Sequence, residues 1–479
     1  MYANKCVVLL LICSFLTPLA GEDPGGGPSG EYALLLEAYL ANDAAARKLE
    51  LELERAALEL EYYTTDQGLS LTLSSGETTI GFSPGRTSIS SEPGLTVSSP
   101  KWRDTSLSFA APVRGNSGEG VNGYGFSAEA RTNIVSGKGA AYQASLLERE
   151  RRFLQAGRDA RARRLTAEGE FCEAVKGLLA ARTTVLEAQG EVLDARYDLE
   201  TKRAGGYASA SVILKSAELK LRSRERALAE AERSLEGDLK RFAESCGLRE
   251  AGIPADIPEE ALLRVSSFDP ARYTELEAAV SAHNINNLAR KSRNYPFTLD
   301  ARTGYSWQNS GVAAGAVPAV PGSRISAGAG LSAGGVSLGV GVSLPLQKPE
   351  PELTLSLEWK INGFKLFNIN RRLAEIEAAR EREDILAAEK KFRDLGTEYE
   401  RKFADLEWRL EAYAEESELF RLNAEEQKIW LDRGIIREID YIDARTEYLS
   451  ATNRLLQAKI DRRLYNIEVE KLFVNDGAE

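Results

Sequence analysis

Residues 352–360 read Glu-Leu-Thr-Leu-Ser-Leu-Glu-Trp-Lys. Leu353, Leu355, Leu357 and Trp359 alternate strictly with Glu352, Thr354, Ser356 and Glu358, so an extended chain would be apolar on one face and polar on the other. The pattern recurs. From Phe297 to Trp307 the apolar side is Phe297, Leu299, Ala301, Tyr305 and Trp307, set against Thr298, Asp300, Arg302 and Ser306. Val336, Leu338, Val340, Val342 and Leu344 alternate with Ser337, Gly339, Gly341 and Ser343, and Tyr124, Phe126, Ala128 and Ala130 with Ser127, Glu129 and Arg131. Period-two alternation over about ten residues, ending in aromatics, is the pattern of a membrane barrel strand that faces lipid on one side and a lumen on the other. A soluble sheet with one covered face has the same period. On the barrel reading, Tyr124, Phe126, Phe297, Tyr305, Trp307 and Trp359 are the membrane-interface aromatics.

Around these strands the chain follows one order twice. A helix over about Glu31 to Tyr62 precedes a Gly/Ser/Thr-rich stretch, Gln67 to Gly137; a long helical pattern, Ala140 to Lys202, breaks at Arg203-Ala204-Gly205-Gly206-Tyr207 and resumes from Ser211 to Cys246. The second half repeats this with a helix over Pro270 to Lys291, strands from Tyr295 to Ile361, a helix from Asn368 to Leu431, a break at Asp432-Arg433-Gly434 and a last helix to Phe473. The expected organisation is therefore a signal peptide over 1–20, a first repeat over 21–246, a linker over 247–268 carrying Pro254 and Pro258, a second repeat over 269–474 and a tail over 475–479.

A helix from Ala140 to Lys202 is roughly 95 Å long at 1.5 Å per residue, more than a globular core accommodates. Leu214, Leu221, Leu228, Leu235 and Phe242 stand seven apart, and Ile442, Leu449 and Leu456 step to Ile460, Ile467 and Val474. Such heptads predict side-by-side coiled-coil packing, with a local change of supercoil at the step. Each half then holds an antiparallel helical hairpin turned at glycine.

Each half has two strong strands and up to two weaker ones, such as Leu69–Leu73 and Ile325–Leu331. Four strands cannot close a barrel, which needs about eight, so self-association into a ring is expected. The start of the chain reads as an export signal: Lys5, the apolar run Val7 to Leu16, then Thr17-Pro18-Leu19-Ala20, with the mature chain beginning near Gly21. Cys13 lies inside the apolar run behind Ile12, where lipidation asks for a small residue.

Composition narrows the chemistry. The net charge of −11 argues against a nucleic-acid partner. Of four cysteines, Cys6 and Cys13 fall in the signal, and Cys172 and Cys246 make no zinc site by themselves. On opposite arms of one hairpin, that pair is expected as two separate buried thiols, with a disulfide between the arms as the alternative where the stagger allows it. His283 is the single histidine, with no nucleophile motif beside it and no phosphate-cradling glycine loop elsewhere. No catalytic residue, metal or cofactor is expected.

Residues 433–444, Arg-Gly-Ile-Ile-Arg-Glu-Ile-Asp-Tyr-Ile-Asp-Ala, carry a resemblance. A glycine turn followed six residues on by Asp, an apolar pair, a second polar residue and Ala resembles the turn of TolC-like outer-membrane efflux proteins. The helix with Glu447, Leu449, Ala451, Asn453, Leu455 and Tyr465 is similar too, as is the duplicated order of segments. The resemblance implies an α+β membrane protein: a homotrimer whose twelve-stranded β-barrel, four strands per chain, continues into a long antiparallel α-helical barrel in the periplasm. It implies a passive conduit, exporting small molecules or proteins, whose partners are a periplasmic adaptor protein, an inner-membrane pump and outer-membrane lipid. Asp440 and Asp443 match the acidic residues of the tunnel entrance, and Gly205, Gly206 and Gly434 fall at the hairpin tips where an adaptor docks. The sequence departs from the family at Ser211, where the first turn has Asp, and at Leu431 and Ile436, where Tyr and Arg hold the entrance shut; Arg437 is the neighbouring substitute. A periplasmic adaptor and a structural coiled-coil protein of the envelope are the alternatives.

Overall fold

The computed structural model describes residues 29–102, 104–118, 120–309, 322–347 and 350–474. The expected signal peptide, the mature start near Gly21 and the tail over 475–479 lie outside them. The described residues form two compact units: one takes the chain up to Ala46, Ala162–Ser267 and Thr397–Lys471, the other Arg47–Arg161, Phe268–Gly396 and the chain from Leu472 on.

The unit containing the sheet holds eleven strands, β1 Ser70–Ser74, β2 Thr78–Ser83, β3 Arg86–Ser91, β4 Gly94–Ser99, β5 Thr105–Ala110, β6 Val113–Asn116, β7 Gly120–Val135, β8 Thr298–Asn309, β9 Gly322–Ala333, β10 Val336–Pro345 and β11 Glu352–Trp359. These exceed both the four strong and up to four weaker strands expected from the sequence and the four per chain that the resemblance implies. The eight-strand path β1-β4-β5-β7-β8-β9-β10-β11 runs through one sheet, and β2, β3 and β6 form a branch leaving it at β7. The 16-residue β7 makes the branch possible: its first part pairs β6 and its later part β5, while its other edge pairs β8. The sequence signal for β2 to β6 was weak because these strands have only 4–6 residues, and Ser, Thr and Gly fill their polar positions.

The helices follow the glycine punctuation. The expected helix from Glu31 to Tyr62 is two: α1, Ser29–Ala41, and α2, Ala44–Asp66. Asn42-Asp43 divides them because Asp43 Oδ1 accepts the Ala45 N–H at 2.9 Å as a helix-start cap, while Arg163 Nε donates to its Oδ2 at 2.7 Å. Then come α3 Lys138–Ala204, α4 Val212–Ser245, α5 Thr274–Arg293, α6 Gly363–Asp432 and α7 Glu438–Leu472. Both α3 and α6 run through the two units.

In the helical unit the predicted heptads are the packed stripe. Leu214 and Phe242 are buried and Leu221, Leu228 and Leu235 half-buried on α4, and Leu456, Ile460 and Ile467 are buried on α7. The main core joins Tyr32 and Leu35 to Phe171, Cys172, Val175, Leu179, Phe242, Cys246 and Ile460. Phe171 sits among Tyr32, Tyr39 and Phe242, with ring centroids 5.3–5.6 Å away. Cys172 and Cys246 are free thiols of this core; burial pushes the Cys172 thiol up to about 11 and raises Cys246, which keeps both protonated and unreactive. The segment after Gly247 is more than a linker. Ile257 is buried, Asn466 accepts from the Leu263 N–H and donates to the Ala261 carbonyl, and Lys459 bridges Asp256 and Glu259.

In the sheet unit α5 is held to α6 through Glu381. Arg290 grips that carboxylate with two nitrogens at 2.7 and 2.8 Å; Asn286 donates at 2.9 Å, and His283 Nδ1 stands 2.8 Å away. The lone histidine is thus a structural partner.

Candidate functional site

The strand registers extend the alternation seen in sequence across the whole path. Because directly paired residues point to the same face, the apolar face can be followed row by row. Leu71, Val97, Leu107, Ala130, Thr303, Ala327, Val342 and Leu353 form one row; Leu73, Leu95, Phe109, Ala128, Tyr305, Ile325 and Leu344 form another. The opposite face is Ser, Thr and Gly with charges on several strands: Glu129 and Arg131 on β7, Asp300 and Arg302 on β8, and Glu352 and Glu358 toward the two ends of β11.

Nothing in the described chain covers the apolar face. Leu73 is 82% exposed, Leu357 72% and Leu355 66%. At roughly 25 cal/mol per Å², leaving such a face in water would forgo several kcal/mol, and monomeric soluble proteins rarely carry a patch of this extent. The six aromatics named from sequence divide between the two ends of it. Trp307 pairs with Phe126, its ring meeting Tyr124 edge-on at 5.5 Å, and Tyr305 lies next along β8. Phe297 and Trp359 sit at the other end, one step beyond the linked pairs Thr298–Ser332, Ser332–Ser337 and Ser337–Glu358.

The helix turns form the second candidate site. After α6, Gly434 takes φ +70, the left-handed conformation that glycine adopts without a Cβ penalty. Its N–H reaches the Leu431 carbonyl at 2.8 Å, and that of Ile435 reaches Trp430 at 2.9 Å, the double bond of a Schellman stop. After α3 the left-handed residue is Gly206 (φ +78), while Gly205 still bonds back to Thr201. Ser211 caps α4 by accepting the Leu214 N–H at 3.2 Å, so the departure from Asp keeps the capping chemistry.

Arg437 and Asp440 act together. Asp440 accepts Arg437 Nη2 at 2.7 Å and Nε at 3.0 Å, and its Oδ2 also takes the Arg437 backbone N–H at 3.2 Å. The reach back from the first turn to the helix start is half of a capping box. The guanidinium lies 4.6 Å from the ring of Tyr197 on α3, so the second hairpin's turn is tied to the first hairpin by a cation–π contact. That Arg437 bond holds the Asp440 carboxyl below its usual range. Asp443 differs: burial, then the charges of Asp194, Asp440 and Glu447, raise it. The two expected entrance aspartates are therefore unlike, Asp440 neutralised within the chain and Asp443 among other acids. Sequence reasoning missed Tyr197 and Asp194, whose spacing within α3 gives no signal of the neighbouring hairpin.

What the fold defines is a class of protein in which a two-faced antiparallel sheet and long glycine-turned helical hairpins alternate along one chain. Among the described residues no helix is long and apolar enough to cross a membrane. Within that class, residues 35–267 match the model of the TP096X N-terminal domain and residues 258–476 that of the TP096X C-terminal domain. The chain is thus built, over residues 35–476, of the two TP096X domains in order. An uncharacterized protein of Treponema pallidum (strain Nichols) is 26% identical over 318 residues, which is 64% of this chain and 56% of that protein, so the match spans little more than half of the relative. Among solved structures, the open-state MtrE outer membrane channel of Neisseria gonorrhoeae is 15% identical, with 92% of this chain and 88% of that chain covered, at a TM-score of 0.49. The Campylobacter jejuni CmeC outer membrane channel is 12% identical, covering 96% and 92%, at 0.48. Those scores lie below the level at which a shared chain path can be argued.

Proposed function

We propose that the chain is an outer-membrane channel-tunnel, a passive conduit whose sheets close around a pore in lipid and whose helical hairpins continue it in the periplasm. The observation that carries this reading is the uncovered apolar face, continuous over eight strands and opposed by a polar face that carries Glu129, Arg131, Asp300 and Arg302. Lipid covers such a face; no other part of the described chain does. Phe297 and Trp307 stand ten positions apart, about 33 Å along a strand. At a tilt near 40° this is about 25 Å along a barrel axis, the height of a lipid-facing band between aromatic girdles.

The copies form a homotrimer, as the resemblance of residues 433–444 implies. The two halves are structural repeats of one unit. The turns at Gly205, Gly206 and Gly434 meet a periplasmic adaptor and an inner-membrane pump, and the solutes are small molecules or proteins driven by that pump. The entrance is gated where Arg437 joins Asp440 and Tyr197, in place of the family's Tyr and Arg. Asp443 supplies the open negative charge there, one carboxylate per copy, which attracts cations.

Planar-bilayer recording of the purified protein tests the reading. Stable unitary conductance, with cation block weakened by Asp443→Ala, is expected. A protein that gives no conductance steps at any applied voltage is not a channel.

A further inference from the structure

The sheet path is open at both ends. Among the described residues β1 pairs only β4, and β11 pairs only β10. An unpaired edge presents a row of bare N–H and C=O groups, and natural edges are blunted with Lys, Pro, bulges or covering segments. Neither Ser70–Ser74 nor Glu352–Trp359 contains Lys or Pro, and neither has a bulge in its register. Every residue of β11 is exposed, and so is all of β1 except Ser70. In hydrocarbon such edges would be more costly still, since no water is there to satisfy them.

We propose that β11 of one copy pairs with β1 of the next, so that each copy contributes eight strands to the barrel. The proposal rests on the channel reading above and specifies its seam. Direction favours it. All seven neighbouring pairs along the path are antiparallel. With eight strands the first and last run opposite ways, so the closing pair is antiparallel like the rest; seven or nine would force a parallel one. Side-chain phase favours it as well. Rows of the register carry Leu71 and Leu73 to the same face as Leu353, Leu355 and Leu357, so an in-phase seam leaves the apolar face unbroken, whereas a one-residue slip would turn β1's leucines inward.

A second copy is a better occupant of the edge than the chain's own other end. A closed barrel of eight strands is filled by its side chains, and the polar face here carries Glu129, Arg131, Asp300, Arg302, Glu352 and Glu358, which require water. A ring of three copies has 24 strands, twice the number expected from the resemblance. With strands about 4.8 Å apart and tilted near 40°, its backbone is about 48 Å across. The branch β2-β3-β6 stays off this path, attached at β7 alone.

Paired cysteines locate the seam. Thr72→Cys is combined with Thr354→Cys or Ser356→Cys, all on the polar face, and oxidised in isolated outer membranes; Leu355→Cys, of opposite phase, replaces the partner as control. Cys172 and Cys246 are buried in a separate core and do not compete. The expected result is a disulfide-linked ladder of copies for at least one in-phase pair, none for the control, and a linked heterodimer when T72C and the partner substitution sit on two differently tagged copies. A bridged monomer from the double variant, without the heterodimer, overturns the proposal in favour of self-closure. Intact rings by native mass with no in-phase cross-link overturn the seam alone and leave the channel reading standing. Absence of any oligomer overturns both.

Discussion

At the residue scale the protein separates carboxylates that hold the fold from one that sits among its own kind. Glu381 is the first kind. The Arg290 guanidinium beside it, together with His283 and Asn286, pulls it down to about 2 from an ordinary 4.5. Its side chain is 16% exposed, so screening by water is limited. A folded-state pKa below the unfolded one gives stability that is complete above the unfolded value and is lost as pH falls from about 4.5 to 2. Glu381→Gln is expected to cost about 2–3 kcal/mol at pH 7, read as a lower denaturation midpoint in detergent, and to cost almost nothing near pH 2. Asp443 has the opposite sign. Its raised pKa means that folding opposes its charge, so the penalty is absent at low pH and grows as pH rises through the carboxylate range. Asp443→Asn should raise the thermal midpoint at neutral pH and leave it unchanged in acid; an equal shift at both pH values would show that the charge is not the cause.

At the element scale the readings that worked were those with a single physical cause. The glycine breaks near Gly205 and Gly434 were legible because a left-handed residue ends a helix cleanly, and the heptads of α4 and α7 were legible because packing against a neighbour imposes a period. Strands β8, β10 and β11 alternate over 8–12 residues and stood out. Strands β2 to β6 did not, since five short Ser/Thr/Gly strands differ little from loop in any window, and four strong strands with up to four weaker ones were legible where the described residues hold eleven. The pairing path, which decides how the sheet can close, was therefore beyond the sequence. At the turns, the resemblance of residues 433–444 pointed to Arg437 and Asp440, while the Tyr197 contact depends on a helix more than two hundred residues earlier. Replacing Ser211 by Ala should remove the α4 cap at a cost of about 1 kcal/mol, visible as faster amide exchange over the first turn after Ser211 and little change beyond it. For the sheet, Leu355→Arg, a charge at mid-strand on the apolar face, should lower membrane-folded stability by about 2–4 kcal/mol. Ser356→Arg, on the polar face, should be tolerated; equal losses would mean that the two faces do not differ in solvent.

At the scale of the whole molecule, everything turns on what covers the apolar rows from Leu71 to Leu353. With four strands per chain, assembly would follow from number alone; with eight on the path, the proposed assembly rests on the two bare edges and on a charged polar face that would need a wet interior. On the proposed channel reading, it is through the apolar face that a chain of net charge −11 meets lipid. The most direct measurement is the native mass of the mature protein extracted from outer membranes in detergent. The account predicts a stable ring of three copies that needs detergent or lipid to stay dispersed. A single copy, soluble in plain buffer and indifferent to bilayers, would contradict it.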